Sequence, residues 1–164
     1  MSVSTTDLCD AHEDRLADGR LKVLPPGLLM LGRRRCFAGP ASTVKLFEDN
    51  SILAETVKTP GDGRVLVVDA GGSVRCAVLG GNLASAAAAN GWVAVIIDGA
   101  ARDADEIEAC DLCVCAVALH PRRSLKRGVG ERDVPIDVFG VPVRPGMWIY
   151  GDRDGVLVSS ERLP

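Results

Sequence analysis

The sequence predicts a mixed α/β fold with more strand than helix and a strand-rich C-terminal third. Three observations carry that reading. Residues 74–97 run as strand, glycine turn, alanine-rich helix and strand. Residues 4–18 place Leu8, Ala11 and Leu16 on one helical face. Beyond residue 112, short apolar runs alternate with turns rich in Gly, Pro and Asp.

The elements follow in order. The first helix, 4–18, has Ser4, Thr5 and Thr6 as candidate caps and stops at Gly19. Residues 21–32 hold Pro25-Pro26-Gly27 and read as turn and connection. A strand is expected from the basic run at 33–35 through Phe37-Ala38-Gly39-Pro40 into 42–47, then a short helix at 50–55 capped by Asn50 or Ser51. Residues 64–69 read as a buried strand, which Ala70-Gly71-Gly72-Ser73 turns into a hairpin with 74–79.

Gly80 and Gly81 then end the strand, 83–89 has high helix propensity, and Asn90-Gly91 stops it. The continuous apolar run 93–97 suits a strand covered on both faces. Asp103 or Asp105 caps a short acidic helix reaching about 109, and 112–119 is the next strand. The basic loop 120–133 precedes a hairpin of 134–139 and 141–143 around Gly140. Strands at 147–150 and 156–159 complete the chain. No internal repeat or boundary divides it, so 1–164 is expected to be a single domain.

Composition narrows the function classes. Of 164 residues, 47% are hydrophobic, too many for a disordered chain. The net charge of -3 argues against a general nucleic-acid or membrane-surface binder. No run approaches the ~20 apolar residues of a membrane span. The start, Met1-Ser2-Val3-Ser4, lacks the basic and apolar segments of a signal peptide. Six cysteines in such a chain point to reduced thiols and a cytoplasmic setting.

The candidate site follows from the strand–helix–strand unit. Strands joined through a helix are parallel, with their C-terminal ends on one edge of the sheet. The loop 80–83 and the loop 98–105 therefore meet where open sheets bind ligands. The first offers backbone N–H groups at a helix N-terminus, a ready anion site. The second offers the Arg102 guanidinium beside Asp103, with Asp105 and Glu106 following. One aspartate suffices for Mg²⁺, which takes one or two protein carboxylates and keeps several waters. Arg102 can hold a carboxylate or a developing enolate oxygen.

Other motifs carry less. Cys113 and Cys115 sit in an apolar strand pattern and read as small hydrophobes, with no second pair to complete a zinc site. No Gly-x-Ser-x-Gly elbow accompanies His12 or His120, so nucleophilic catalysis through histidine is not expected. The cluster Arg122-Arg123-Ser124-Leu125-Lys126-Arg127 reads as a solvated loop, with a subunit interface or contact with RNA phosphates as the alternatives, and it lacks the interleaved aromatics of a base-stacking surface.

Several stretches together resemble one family. Thr6-Asp7-Leu8-Cys9-Asp10, Phe37-Ala38-Gly39-Pro40, Phe47-Glu48-Asp49-Asn50, Gly63-Arg64-Val65-Leu66-Val67-Val68-Asp69, Gly80-Gly81-Asn82-Leu83-Ala84, Gly99-Ala100-Ala101-Arg102-Asp103, His120-Pro121-Arg122 and Asp154-Gly155-Val156-Leu157-Val158 occur in family order. They resemble the RraA-like proteins, which include regulators of ribonuclease activity and class II 4-hydroxy-4-methyl-2-oxoglutarate aldolases. The resemblance implies a β/β/α sandwich of the swivelling-domain type and a ring-shaped homotrimer.

It further implies a lyase that cleaves 4-hydroxy-4-methyl-2-oxoglutarate to two pyruvates and decarboxylates oxaloacetate through a metal-stabilised pyruvate enolate. In that scheme Gly80, Gly81, Asn82 and Leu83 bind the pyruvoyl carboxylate, Arg102 binds the substrate oxygen, and Asp103 binds Mg²⁺ or Mn²⁺. The alternative it implies is a non-enzymatic regulator that binds RNase E or an RNA helicase.

One departure bears on the chemistry. The family pattern is an aspartate, twenty intervening residues, then Arg-Asp, and counting back from Arg102 places Gly81 at the aspartate. Asp69 and Asp98 are the candidates to compensate. The C-terminal extension through which longer aldolases lend an acidic residue to a neighbouring subunit is not expected past Pro164.

Overall fold

The computed structural model describes residues 3–164. Met1 and Ser2, part of the stretch read as lacking a leader, lie outside it. The N-terminal helical stretch is two helices, α1 (Thr5–Ala11) and α2 (Glu13–Asp18), divided at His12, whose backbone leaves the helical region. Ser4 caps α1 by accepting from Asp7 N–H, and Gly19 ends α2 in the left-handed conformation. Asp152 ties α1 down, accepting from both the N–H and the hydroxyl of Thr5 at 2.7 Å.

The expected connection 21–32 contains two short strands, β1 (Leu21–Val23) and β2 (Leu29–Leu31). Prolines 25 and 26 fall between them. Each strand is only three residues long, too short for periodicity to register, and exists because a sheet edge receives it. Then come β3 (Phe37–Lys45), α3 (Ser51–Val57), β4 (Val65–Asp69), β5 (Ala77–Leu79), α4 (Gly81–Ala89), β6 (Ala94–Ala101), α5 (Ala104–Glu108) and β7 (Cys113–Leu119). The chain closes with β8 (Glu131–Arg132), β9 (Ile136–Val138), β10 (Val141–Val143), β11 (Trp148–Gly151) and β12 (Val156–Ser159).

The main sheet runs β1-β12-β11-β3-β4-β6-β7-β2. Strand β3 is the hinge of the curl. Its first half pairs antiparallel with β11 and its second half parallel with β4. Inside the curl lie Phe37, Val65, Ile96, Cys113, Cys115, Ile149 and Val158, closed by the β9–β10 hairpin. On the opposite face α3, α4 and α5 cover Val68, Val95, Ile97 and Val114, with Trp92 buried among them. These layers make the expected β/β/α sandwich. The hairpin turn at Phe139-Gly140 has positive φ at both residues, as a two-residue turn of that twist requires.

One expected pairing is overturned. Residues 64–69 and 74–79 do not form a hairpin. The turn at 70–73 is present, with Ser73 N–H donating to Ala70 O, but β5 pairs in parallel with β6. The reason is strand length. The five-residue β4 covers β6 only from Ala94 to Asp98, and β5 takes the vacant edge beside Ala100 and Ala101.

The basic loop is anchored through its backbone. Ala77 N–H donates to Arg122 O, Ser124 N–H to Ala77 O and Leu125 N–H to Glu48 O. Buried Asp49 accepts from Ser51 N–H and hydroxyl and from the amides of Arg127 and Val129. Burial would raise its carboxyl, but these hydrogen bonds outweigh it and hold the group below the ordinary carboxylate value.

The stability Asp49 contributes is therefore present above the unfolded value, about 3.9, and is lost as pH falls through the lower folded value. Asp49→Ala should lower Tm by roughly 5–10 °C, because several amides lose their acceptor. It should also speed tryptic cleavage within 122–127. A cleavage rate equal to wild type would show that the strand contacts alone hold the loop.

Candidate active site at the β5, β6 and β7 edge

Register builds the site. Ala101, the last residue of β6, pairs with Leu79 at the end of β5 on one side and Leu119 at the end of β7 on the other. The next residues, Gly80, Arg102 and His120, therefore leave the sheet side by side. Two bonds lock this alignment: Arg102 N–H to Leu79 O and His120 N–H to Ala101 O, both 2.9 Å. The expected meeting of 80–83 with 102–103 is what the structure shows. Strand β6 extends to Ala101, so the expected loop 98–105 is shortened to Arg102 and Asp103 before α5.

Asp103 is strained into place. It adopts φ 61° and ψ 50°, a left-handed conformation that few non-glycine residues take and aspartate tolerates better than most. It occupies the N-cap position of α5 but makes no side-chain cap there. Its Oδ2 instead accepts from Gly81 N–H at 3.0 Å, across the gap to α4. The carboxylate thus sits on the positive end of the α4 dipole.

The α4 ladder starts with Ala84 N–H donating to Gly80 O, which leaves the N–H groups of Asn82 and Leu83 at the helix mouth. The structure thus brings Arg102, Asp103 and the amides of 81–83 together, as expected. It adds that the Gly81 amide serves Asp103.

Gly80 matters for closeness, not for dihedral, since its backbone is extended. A Cβ there would stand 2.8 Å from Asp103 Oδ2 and 3.4 Å from Arg102 Nε. Arg102 reaches Pro121 O with Nη1 at 3.5 Å, and its Nε lies 4.0 Å from Asp103 Oδ2. Both side chains remain more than a third exposed. Arg102, Asp103, Ala104, Leu119, His120 and Pro121 line a cleft of about 230 Å³. A second cleft, about 600 Å³, is lined by Arg33, Gly81, Asn82, Ser85 and Glu106 among others. The Gly81–Asp103 hydrogen bond links the two linings.

Two residues here have a place in the site that the sequence alone does not assign. His120 was set aside for want of a nucleophile motif, yet it lines the Arg102 cleft, its Nδ1 accepting from Arg122 N–H. The signal was its position immediately after a strand parallel to β6. Glu106 stands directly against Gly81: a Cβ on residue 81 would be 1.9 Å from Glu106 Oε2. The candidates to replace a residue-81 carboxylate are engaged locally instead, Asp69 with Gly71 N–H and Asp98 with Phe139 N–H.

The donor set suits a hard, largely hydrated divalent cation. Asp103 supplies a solvent-facing carboxylate of which only Oδ2 is engaged among the described residues. No group of three His, Cys, Asp or Glu side chains assembles a protein cage among those residues, so a closed zinc-type site does not fit. All six cysteines are free, and the hydrogen bond shared with Cys115 Sγ at 3.8 Å, together with burial, pushes the Cys113 thiol far up.

Comparison with known proteins agrees with this architecture. The family model described as RraA-like, Aldolase/RraA, matches residues 5–158. The chain belongs to the RraA-like family. A protein of Cupriavidus necator, provisionally named a 4-hydroxy-4-methyl-2-oxoglutarate aldolase, is 56% identical over 163 residues, 99% of both chains. Among solved structures, the RNA-processing inhibitor RraA from Thermus thermophilus matches with TM-score 0.92 and 40% identity, over 100% of this chain and 96% of that one. A Geobacillus kaustophilus structure named as an S-adenosylmethionine:2-dimethylmenaquinone methyltransferase matches with TM-score 0.91 and 42% identity, over 98% and 97%. These relatives share the RraA-like fold, and their names divide between enzyme and regulator.

Proposed function

We propose that this chain is a divalent-cation-dependent lyase of small 2-oxo acids, cleaving 4-hydroxy-4-methyl-2-oxoglutarate to two pyruvates and decarboxylating oxaloacetate. One observation carries the reading: the in-register ends of β5, β6 and β7 bring a guanidinium, a strained aspartate and helix N-terminal amides to a single edge. The aldolase name of a 56% identical relative supports it.

In this reading Asn82 and Leu83 N–H groups receive the pyruvoyl carboxylate, with Gly80 and Gly81 keeping the backbone close. Arg102 lies beside the 2-keto oxygen and stabilises the negative charge that gathers there as the C3–C4 bond breaks. Asp103 would hold Mg²⁺ or Mn²⁺, which when bound acts as a Lewis acid on the same oxygen. Both substrates leave a pyruvate enolate, so one site serves both reactions. We place the protein in the cytoplasm, which suits six free thiols. We further propose that residues 1–164 act as one domain within a homotrimer. Exposed Phe47, Val117, Leu119, Leu125 and Val129 supply apolar surface for subunit contacts.

The test is oxaloacetate decay with Mg²⁺, followed beside a protein-free Mg²⁺ control. Faster decay with protein supports the lyase, and decay equal to the control overturns it.

A second reading has its own observation. The basic loop's backbone is fixed to β5 and to 48–50, while Arg122, Arg123, Lys126 and Arg127 all face solvent. Such a rigid basic surface suits a regulator docking on an acidic face of RNase E or an RNA helicase, and the Thermus relative is named an RNA-processing inhibitor. Retention of the ribonuclease by wild type, lost on charge reversal at 122–127, would favour this reading.

A further inference from the structure

We propose that Glu106 is the carboxylate that moves the protons of the lyase reaction, working from the side of Gly81. This inference rests on the lyase reading above and names a residue which that reading leaves without a role.

The argument begins with local chemistry. Asp103 and Glu106 occupy the N-cap and third positions of α5, the spacing at which two polar side chains ordinarily cap their own helix reciprocally. Neither does so here. Asp103 makes no cap bond to α5, and the Glu106 carboxylate has no hydrogen-bond partner among the described residues. Both side chains turn to the first turn of α4 instead. Asp103 Oδ2 takes the Gly81 amide, and Glu106 Oε2 lies where a residue-81 side chain would begin.

Buried Ile107, whose N–H donates to Asp103 O, anchors α5 and fixes this orientation. Helical side chains lean toward their own N-terminus, which carries Glu106 back toward Asp103 and Gly81.

Gly81 therefore has a spatial reason. A Cβ there would also meet Glu106 Cβ at 2.7 Å and Cδ at 2.8 Å, so a residue-81 side chain and the Glu106 carboxylate are mutually exclusive. The carboxylate found at this point comes from α5.

The reaction needs such a group. Cleavage begins as a base removes the proton of the C4 hydroxyl. The C3–C4 bond breaks, C4 becomes the keto carbon of one pyruvate, and the electron pair passes through C3 to the 2-keto oxygen of the other. Returning that proton to C3 completes the second pyruvate. Oxaloacetate loses C4 as CO₂ and needs only the final protonation. Asp103 and Arg102 are committed to charge stabilisation, and Glu106, set against the Gly81 amide that Asp103 takes, serves as the base and acid, directly or through one water.

The test uses wild type, Glu106→Gln, Glu106→Gly and Glu106→Gly/Gly81→Asp. Each is assayed for Mn²⁺ binding by calorimetry, for cleavage, and for exchange of pyruvate methyl protons with D₂O in the presence of Mg²⁺. Glu106→Gln should bind Mn²⁺ within about threefold of wild type while exchange and kcat fall roughly 10²- to 10⁴-fold. The double variant, with residue 106 cleared for a side chain at 81, should recover at least about tenfold over Glu106→Gly. Wild-type exchange by Glu106→Gln would overturn the role of Glu106 and leave the lyase reading standing. A wild-type protein that neither exchanges pyruvate protons nor cleaves either substrate would overturn both.

Discussion

Asp103→Asn should abolish cation-dependent turnover, by on the order of 10³-fold or more, while leaving the fold intact. The lost charge is the reason for the first effect: in the proposed lyase several kcal/mol of Lewis-acid stabilisation would depend on the carboxylate, and each 1.36 kcal/mol is a factor of ten. The second effect follows from what asparagine keeps. It tolerates the left-handed conformation of residue 103, and its amide oxygen can still accept from Gly81 N–H.

Asp103→Ala removes charge and acceptor together and places a methyl side chain at φ 61°. It should lose the same activity and also about 1–2 kcal/mol, or roughly 3–6 °C of Tm. Measuring Mn²⁺ affinity, turnover and Tm for both variants separates the two roles. Full turnover by Asp103→Asn would remove Asp103 as the cation ligand.

Arg102→Lys should lower kcat/KM by about 10²-fold or more with Mn²⁺ binding and Tm nearly unchanged. The lysine retains a positive charge but loses the planar fork that can face a carboxylate and a keto oxygen together. Stability should barely respond because Arg102 contributes little to it. Its bond to Pro121 O is long at 3.5 Å, and its approach to Asp103 at 4.0 Å is between half-exposed groups, where ion pairs are weak. Steady-state kinetics with oxaloacetate beside thermal melting would check this. Wild-type kcat/KM in Arg102→Lys would show that charge alone suffices and that the geometry of the guanidinium is irrelevant.

Much of the site was legible before any coordinates because it lies where local signals coincide. The glycine pair, alanine-rich helix, Asn90-Gly91 stop and apolar run at 93–97 define a strand–helix–strand unit, and parallel strands must deliver their following loops to one edge. That places 80–83 beside 98–105 without tertiary information. Errors fell where no local signal exists. The 70–73 turn is real, but a turn does not state which strand its successor will join. That depended on β6 outrunning β4, a comparison of lengths across the sheet. Likewise β1 and β2 became strands only because β12 and β7 offered edges.

The sequence by itself determined the class, the order of most elements, the family resemblance, and the absence of a side chain at 81. Those depend on periodicity, turn chemistry and residue identity, all local to the chain. The tertiary structure alone decided which side chains face that absence. Asp103 is one of the two caps the sequence offers for α5, and Glu106 follows at its third helical position. Packing α5 against the start of α4 turned both toward Gly80 and Gly81 instead, because a glycine pair leaves room there that no other residues would.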